Sequence, residues 1–131
     1  MVSRSLSLRV ALPLMLTASC GLAPDSYELD NQCSSAKPIL VDEQQAHSLH
    51  RRYDKDWLRL RVEAGRRYRV RIARNFVKDS HLVIELQESC TGFSSDRGSF
   101  LFYTATASGY VYLKVSGQKR TRYEIVATEI R

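Results

Sequence analysis

The strongest constraint on this chain is an alternation running from residue 54 to residue 74, DKDWLRLRVEAGRRYRVRIAR. Leu58, Leu60 and Val62 alternate with Arg59 and Arg61, and after a short break Tyr68, Val70 and Ile72 alternate with Arg67, Arg69 and Arg71. Successive side chains of an extended chain point to opposite sides, so a period of two over this length means strands with one buried face. The break, Glu63-Ala64-Gly65-Arg66, reads as the turn of a hairpin. In that pairing Arg61 stands opposite Arg69 and Arg59 opposite Arg71, and like charges directly opposite cost a few tenths to about 1 kcal/mol per pair. Glu85, Glu124 or Glu129 on neighbouring strands would offset this. A bound polyanion would also do so: lipopolysaccharide phosphate, a lipid headgroup, acidic polysaccharide or an acidic protein face. Intramolecular pairing is the simpler expectation, and Arg59, Arg61, Arg69 and Arg71 are the candidate anion- or partner-binding residues.

The rest of the chain repeats the pattern in shorter pieces. Strands are expected over residues 37–41, 46–51, 57–62, 67–73, 81–87, 100–105, 110–115 and 123–128, with a Ser- and Gly-rich loop over 88–99. The pair at 100–105 and 110–115 reads as a second hairpin through Ala107, Ser108 and Gly109. Tyr110 and Tyr112 share a face there, either packing across strands or offering a binding platform. No stretch carries a helical period. Seven to eight short strands separated by turn signals predict an all-β sandwich or barrel.

The N-terminus is of another kind. Residues 1–20, MVSRSLSLRVALPLMLTASC, place arginines early, then a short apolar run, then small residues before Cys20. The run is far shorter than the roughly 20 residues needed to span a bilayer, so residues 1–19 read as a signal peptide. The end resembles the lipobox of bacterial lipoproteins, although Thr17 stands where leucine is usual. An ordinary secretory signal would instead leave Cys20 as a spare thiol. The lipoprotein reading makes Cys20 the lipidated mature N-terminus, residues 20–26 a lipidated tether and residues 27–131 the domain. Gly21, in place of the aspartate that resembles an inner-membrane retention signal, favours the outer membrane.

Of three cysteines, Cys33 and Cys90 remain as an even pair in an exported, oxidising compartment, where a disulfide is the default. It would close a loop of about 57 residues and stabilise by roughly 4 kcal/mol in the chain-entropy description. Net charge is +6 over 131 residues. Removing residues 1–19 takes away Arg4 and Arg9 and leaves a milder basic excess. Such a balance suits acidic envelope surfaces, and export argues against nucleic acid.

Catalytic motifs are not visible: no GxSxG, no HExxH, no phosphate-binding glycine loop. His47 and His50 are three apart, so on a strand they face opposite sides and cannot chelate together. The expectation is a protein that is not an enzyme.

Several spaced segments are similar to one family. DSYELDNQCSSA (residues 25–36), HSLHRRYDKDW (47–57), VEAGRRYRV (62–70), GYVYLKV (109–115) and Tyr123 resemble the bacterial pre-peptidase C-terminal domain, an accessory module of secreted peptidases akin to collagen-binding domains. The resemblance implies a jelly-roll-like antiparallel β-sandwich without catalytic activity. It also implies calcium, held by Glu28, Asp30 and Asn31 from the lead-in and Asp54 and Asp56 from a strand end. Hard oxygen donors of that kind suit Ca²⁺, which takes six to eight. The same residues equally make turns, cap strands or pair with arginines. Two functions follow. One is a membrane-anchored binding or adaptor module recognising a protein or glycan of the envelope. The other is a structural or chaperone-like lipoprotein supporting a secreted peptidase or secretion system.

Overall fold

A computed structural model describes residues 22–131. The expected signal peptide, residues 1–19, and the expected lipidation site Cys20 lie outside the described residues. Nine strands form: β1 (Lys37–Ile39), β2 (Gln44–Leu49), β3 (Lys55–Val62), β4 (Arg67–Asn75), β5 (Val83–Gln87), β6 (Ser94–Gly98), β7 (Phe100–Thr104), β8 (Gly109–Ser116) and β9 (Thr121–Ile130). The only helical pieces among the described residues are two 3₁₀ turns, Cys33–Ser35 and Lys78–Ser80.

The strands build two sheets, ordered β1-β3-β8-β5-β6 and β2-β9-β4-β7. From β2 to β5 the chain changes sheet at every step, β5 and β6 pair in one sheet, and the alternation resumes through β9. That is the jelly-roll arrangement, with β1 added in parallel beside β3. The expected all-β jelly-roll-like sandwich is therefore what the chain forms, with one strand more than the sequence announced. The extra one is β6, whose SSDRG sequence is polar because every residue but Gly98 is exposed.

The two hairpins read from the sequence do not form. Val62 and Tyr68 belong to different sheets, and so do the strands on either side of Gly109. β3 pairs with β8 and β4 pairs with β7 and β9, all antiparallel. Arg61 consequently lies opposite Tyr110 and Arg59 opposite Tyr112, while Arg69 lies opposite Phe102 and Thr128. The like-charge pairs never meet. A tight turn between two half-buried strands does not distinguish a hairpin from a corner between sheets. In both, the apolar faces end up buried. Gly65, with φ +80°, turns this corner in the left-handed region that glycine occupies without strain.

Between the sheets sits one core: Leu58, Leu60 and Val62 from β3, Val111, Leu113 and Val115 from β8, and Ile84 and Leu86 from β5 face Tyr68, Val70, Leu101, Tyr123 and Ile125. Each such side chain contributes roughly 1.5–3 kcal/mol when fully buried. The Cys33–Cys90 disulfide forms and ties the lead-in to the loop between β5 and β6. The lead-in is more than a tether. Ser48 Oγ donates to the carbonyl of Ala23 at 3.0 Å, and the Ser48 N–H donates to Asp25 Oδ2 at 2.6 Å, so residues 23–25 dock along β2.

Candidate functional site

Two features stand out: an acidic and histidine-bearing end where the lead-in meets β2 and β3, and the arginine-bearing outer faces of both sheets.

At the first, the alternation of β3 continues one step beyond Leu58 and points Asp56 into the sandwich, fully buried. Trp57 consequently faces outward, beside Lys114, although it is largely covered. Tyr123 Oη donates to Asp56 Oδ2 at 2.5 Å, while Asp56 Oδ1 has no partner. Asp30 is also fully buried, and both its carboxylate oxygens lack partners. Burial pushes the Asp56 carboxyl up to about 9 and that of Asp30 up to about 7, with neighbouring acids adding to each.

The five expected calcium ligands divide into two neighbouring groups. Asp54 has its oxygens engaged, accepting from the His50 N–H and the Lys55 N–H at 3.0 Å each. His50 Nδ1 lies 2.8 Å from Glu28 Oε1 and 2.9 Å from Asp54 Oδ2. Asn31, in the amide orientation its neighbours require, turns its nitrogen to Asp54 Oδ1 and gives its oxygen to Arg51. Among the described residues Glu28, Asp30 and Asp56 keep buried oxygens without a hydrogen-bond partner. Among the described residues no three of the four expected acids bring one oxygen each within 4.8 Å of the others, where calcium takes six to eight oxygens.

The sequence reading missed two residues here, Asp25 and His47. His47 and His50 do not chelate together, as their spacing requires. Each instead stands among acids of its own: Asp25 and Asp56 around His47, Glu28 and Asp54 around His50. His47 is inside because Gln45, His47 and Leu49 share the inward face of β2. Its ring is stacked between Tyr27 and Tyr123, and burial lowers its pKa to about 4, so it is neutral at pH 7.

On the outer faces, the arginines split. Arg59 and Arg61 cover the five-stranded sheet, and both guanidinium groups lie over the Tyr110 ring. Arg67, Arg69 and Arg71 form a row on the four-stranded sheet, flanked by Thr104, Phe102 and Phe100 on β7 and by Ile130, Thr128 and Val126 on β9. The expected acids are occupied elsewhere. Glu85 binds Lys114 and Arg97, Glu129 binds Arg66, and Glu124 accepts from Gln44. Among the described residues, none of the five arginines has a carboxylate within 4.0 Å. Phe100 and Phe102, packed edge to face, are about half exposed beside the row, and Arg67 lies over Phe102. The sequence reading left out Arg67 and both phenylalanines. FLFYT reads as strand, but its outward phenylalanines mark a surface only once β7 is seen at the sheet edge.

No family model matches the chain, and no curated protein matches it. Solved structures do. The periplasmic lysozyme inhibitor of g-type lysozyme PliG from Aeromonas hydrophila superposes with a TM-score of 0.57 at 14% identity, covering 72% of this chain and 97% of that one. PliG from Salmonella Typhimurium gives 0.52 at 19% identity, covering 72% and 100%. At these identities the likeness is one of fold. It also corrects the resemblance to the pre-peptidase C-terminal domain, including that label for residues 27–131. The segments behind the resemblance are corner glycines, alternating strands and strand-end acids. A jelly roll of this alternation needs such residues whatever its descent.

Proposed function

We propose that this chain is a non-catalytic binding module of the bacterial cell envelope, held there through Cys20, and that it docks an acidic surface of a protein through the face formed by β4 and β7. One observation carries the reading. Arg67, Arg69 and Arg71 stand in a row with no carboxylate of the described residues within 4.0 Å of them and with Phe100 and Phe102 exposed at their side. Charge without an internal partner, next to exposed aromatic area, is the composition of a protein-binding patch. The disulfide supports export, since such bonds persist in oxidising compartments. Lipid on Cys20 would anchor the module, with the outer membrane as its place.

The test is affinity capture from solubilised envelope using the chain and two variants. Arg67, Arg69 and Arg71 changed together to glutamine should lose the captured protein, while Arg59→Gln with Arg61→Gln should retain it. The reverse result would move the interface to the other sheet. Metabolic labelling with a fatty acid should vanish in Cys20→Ser.

The fold neighbours favour a second, narrower reading, in which the partner is a lysozyme-type enzyme, because both are inhibitors of g-type lysozyme. Stoichiometric slowing of peptidoglycan lysis by a purified g-type lysozyme would support it. Unchanged lysis at a large excess of this chain would remove it.

A further inference from the structure

Asp25, His47 and Asp56 come from three separate pieces of chain: the lead-in, β2 in the four-stranded sheet and β3 in the five-stranded sheet. One donor atom from each lies within 4.8 Å of the other two. His47 Nδ1 is 3.7 Å from Asp25 Oδ2. Hydrogen bonding fixes what these atoms are. Gln45 Nε2 donates to the Pro38 carbonyl at 2.9 Å, so Gln45 presents its oxygen to His47 Nε2, also at 2.9 Å. The ring proton therefore sits on Nε2, and Nδ1 carries a lone pair. His47 Nδ1 and Asp56 Oδ1 are both buried without a hydrogen-bond partner, on side chains that are themselves fully enclosed. Asp25 Oδ2 accepts from the Ser48 N–H and still faces Nδ1. Three acceptor atoms converge, and among the described residues the donors that reach these side chains, the Tyr27 and Ser48 N–H groups and Tyr123 Oη, leave His47 Nδ1 and Asp56 Oδ1 unpartnered.

We propose that these three side chains bind a first-row divalent transition metal of the zinc type, with His47 Nδ1, Asp25 and Asp56 as ligands. Neutral imidazole with two carboxylates is a donor set for such ions, whereas calcium takes oxygen alone. Each ligand also has the outer support that metal ligands carry. Gln45 holds the far nitrogen of His47, Tyr123 Oη holds Asp56, and the N–H groups of Tyr27 and Ser48 hold Asp25. Asp25 is partly open to a cleft that Pro24, His47, Phe76 and Tyr123 also line, which gives the ion a way in. The metal's role is structural. It joins the lead-in to both sheets, and it supplies the positive charge the buried acceptors lack.

Zinc is titrated into the exported chain with its disulfide intact, followed by calorimetry and by the ring-nitrogen resonances of isotope-labelled histidine. One zinc per chain should bind, shifting His47 Nδ1 and raising the melting temperature, and cobalt(II) should bind with a visible absorption band. His47→Ala and Asp25→Asn should each weaken zinc by more than the roughly 10–100-fold that losing an outer-shell group such as Gln45 costs. His50→Ala should leave it intact. Asp25→Asn, at the margin of the core, keeps the test decisive should His47→Ala not fold. Three results would overturn the site: no zinc binding, binding that follows His50 and survives Asp25→Asn, or stabilisation by calcium with no movement of the His47 resonance. The first would mean that the three acceptors share only a proton.

Discussion

Tyr123 is fully buried in the core, and among the described residues its hydroxyl is the one donor that reaches Asp56. Tyr123→Phe leaves the ring packing in place and strips Asp56 Oδ2 of its hydrogen bond. Leaving a buried polar group unsatisfied costs about 1–3 kcal/mol, so urea unfolding should show a loss of that size with an unchanged slope. An unchanged midpoint would mean that water replaces the hydroxyl. Some of this was legible in the sequence. Carried one step back from Leu58, the β3 alternation points Asp56 inward, and carried back from Leu49 it points His47 inward. What alternation cannot give is distance. Asp25 lies 22 residues before His47 in the chain, and no spacing rule links them. A surface acid shows the opposite sign of effect. Glu85 is held below the usual carboxylate range, chiefly by its hydrogen bond from Lys114, 2.7 Å away. A depressed pKa contributes stability above the unfolded value of 4.5, which is lost as pH falls through the lower folded value. Glu85→Gln should therefore cost up to about 1 kcal/mol at pH 7 and nothing at strongly acid pH, where both forms are neutral. Equal cost at both pH values would indicate lost packing.

At the scale of elements, strand existence was readable and strand partners were not. Residues 57–62 and 67–73 alternate so cleanly because each buries one face, and that requirement is met equally by a hairpin and by two facing sheets. β6 was invisible for the converse reason: an exposed edge strand buries nothing, so SSDRG carries no periodicity to read. The corner at Gly65 gives a direct check on the observed connection. A Cβ there would meet nothing within 4 Å, so any penalty is purely conformational. Gly65→Ala should cost about 1–2 kcal/mol, the strain of a left-handed L-residue, while Gly65→Asn should cost less. Gly117 makes a contrast: an added Cβ would sit 3.0–3.2 Å from Leu82, Ser80 and Leu49, so Gly117→Ala should destabilise by crowding. Thermal denaturation of the three variants separates the two mechanisms. Equal losses for alanine and asparagine at residue 65 would speak against the left-handed corner.

For the whole molecule, the same alternation that fills the core must dispose of its outward residues, and this chain places arginine on both outer faces while the nearby acids pair with other cations. Glu63, Glu85 and Glu129 neutralise Arg66, Lys114 and Arg97, and the buried acids are gathered at the lead-in end. The sandwich is thereby polarised, with unpaired guanidinium groups across the sheets and carboxylates inside one end. A surface of this kind steers encounter with an acidic partner, and screening weakens that steering as ions are added, the Debye length falling from about 10 Å at 0.1 M salt to about 3 Å at 1 M. Association of the captured partner should therefore slow with salt mainly in its on-rate. The Arg67, Arg69 and Arg71 glutamine variant should flatten that dependence. Phe102→Ala should act differently, raising the off-rate with the salt slope unchanged, because it removes apolar contact area and no charge. Surface-immobilised kinetics at several salt concentrations measures both. A salt slope that survives the triple arginine change would place the electrostatic contact on the Arg59 and Arg61 face. An off-rate indifferent to Phe102→Ala would leave β7 outside the interface.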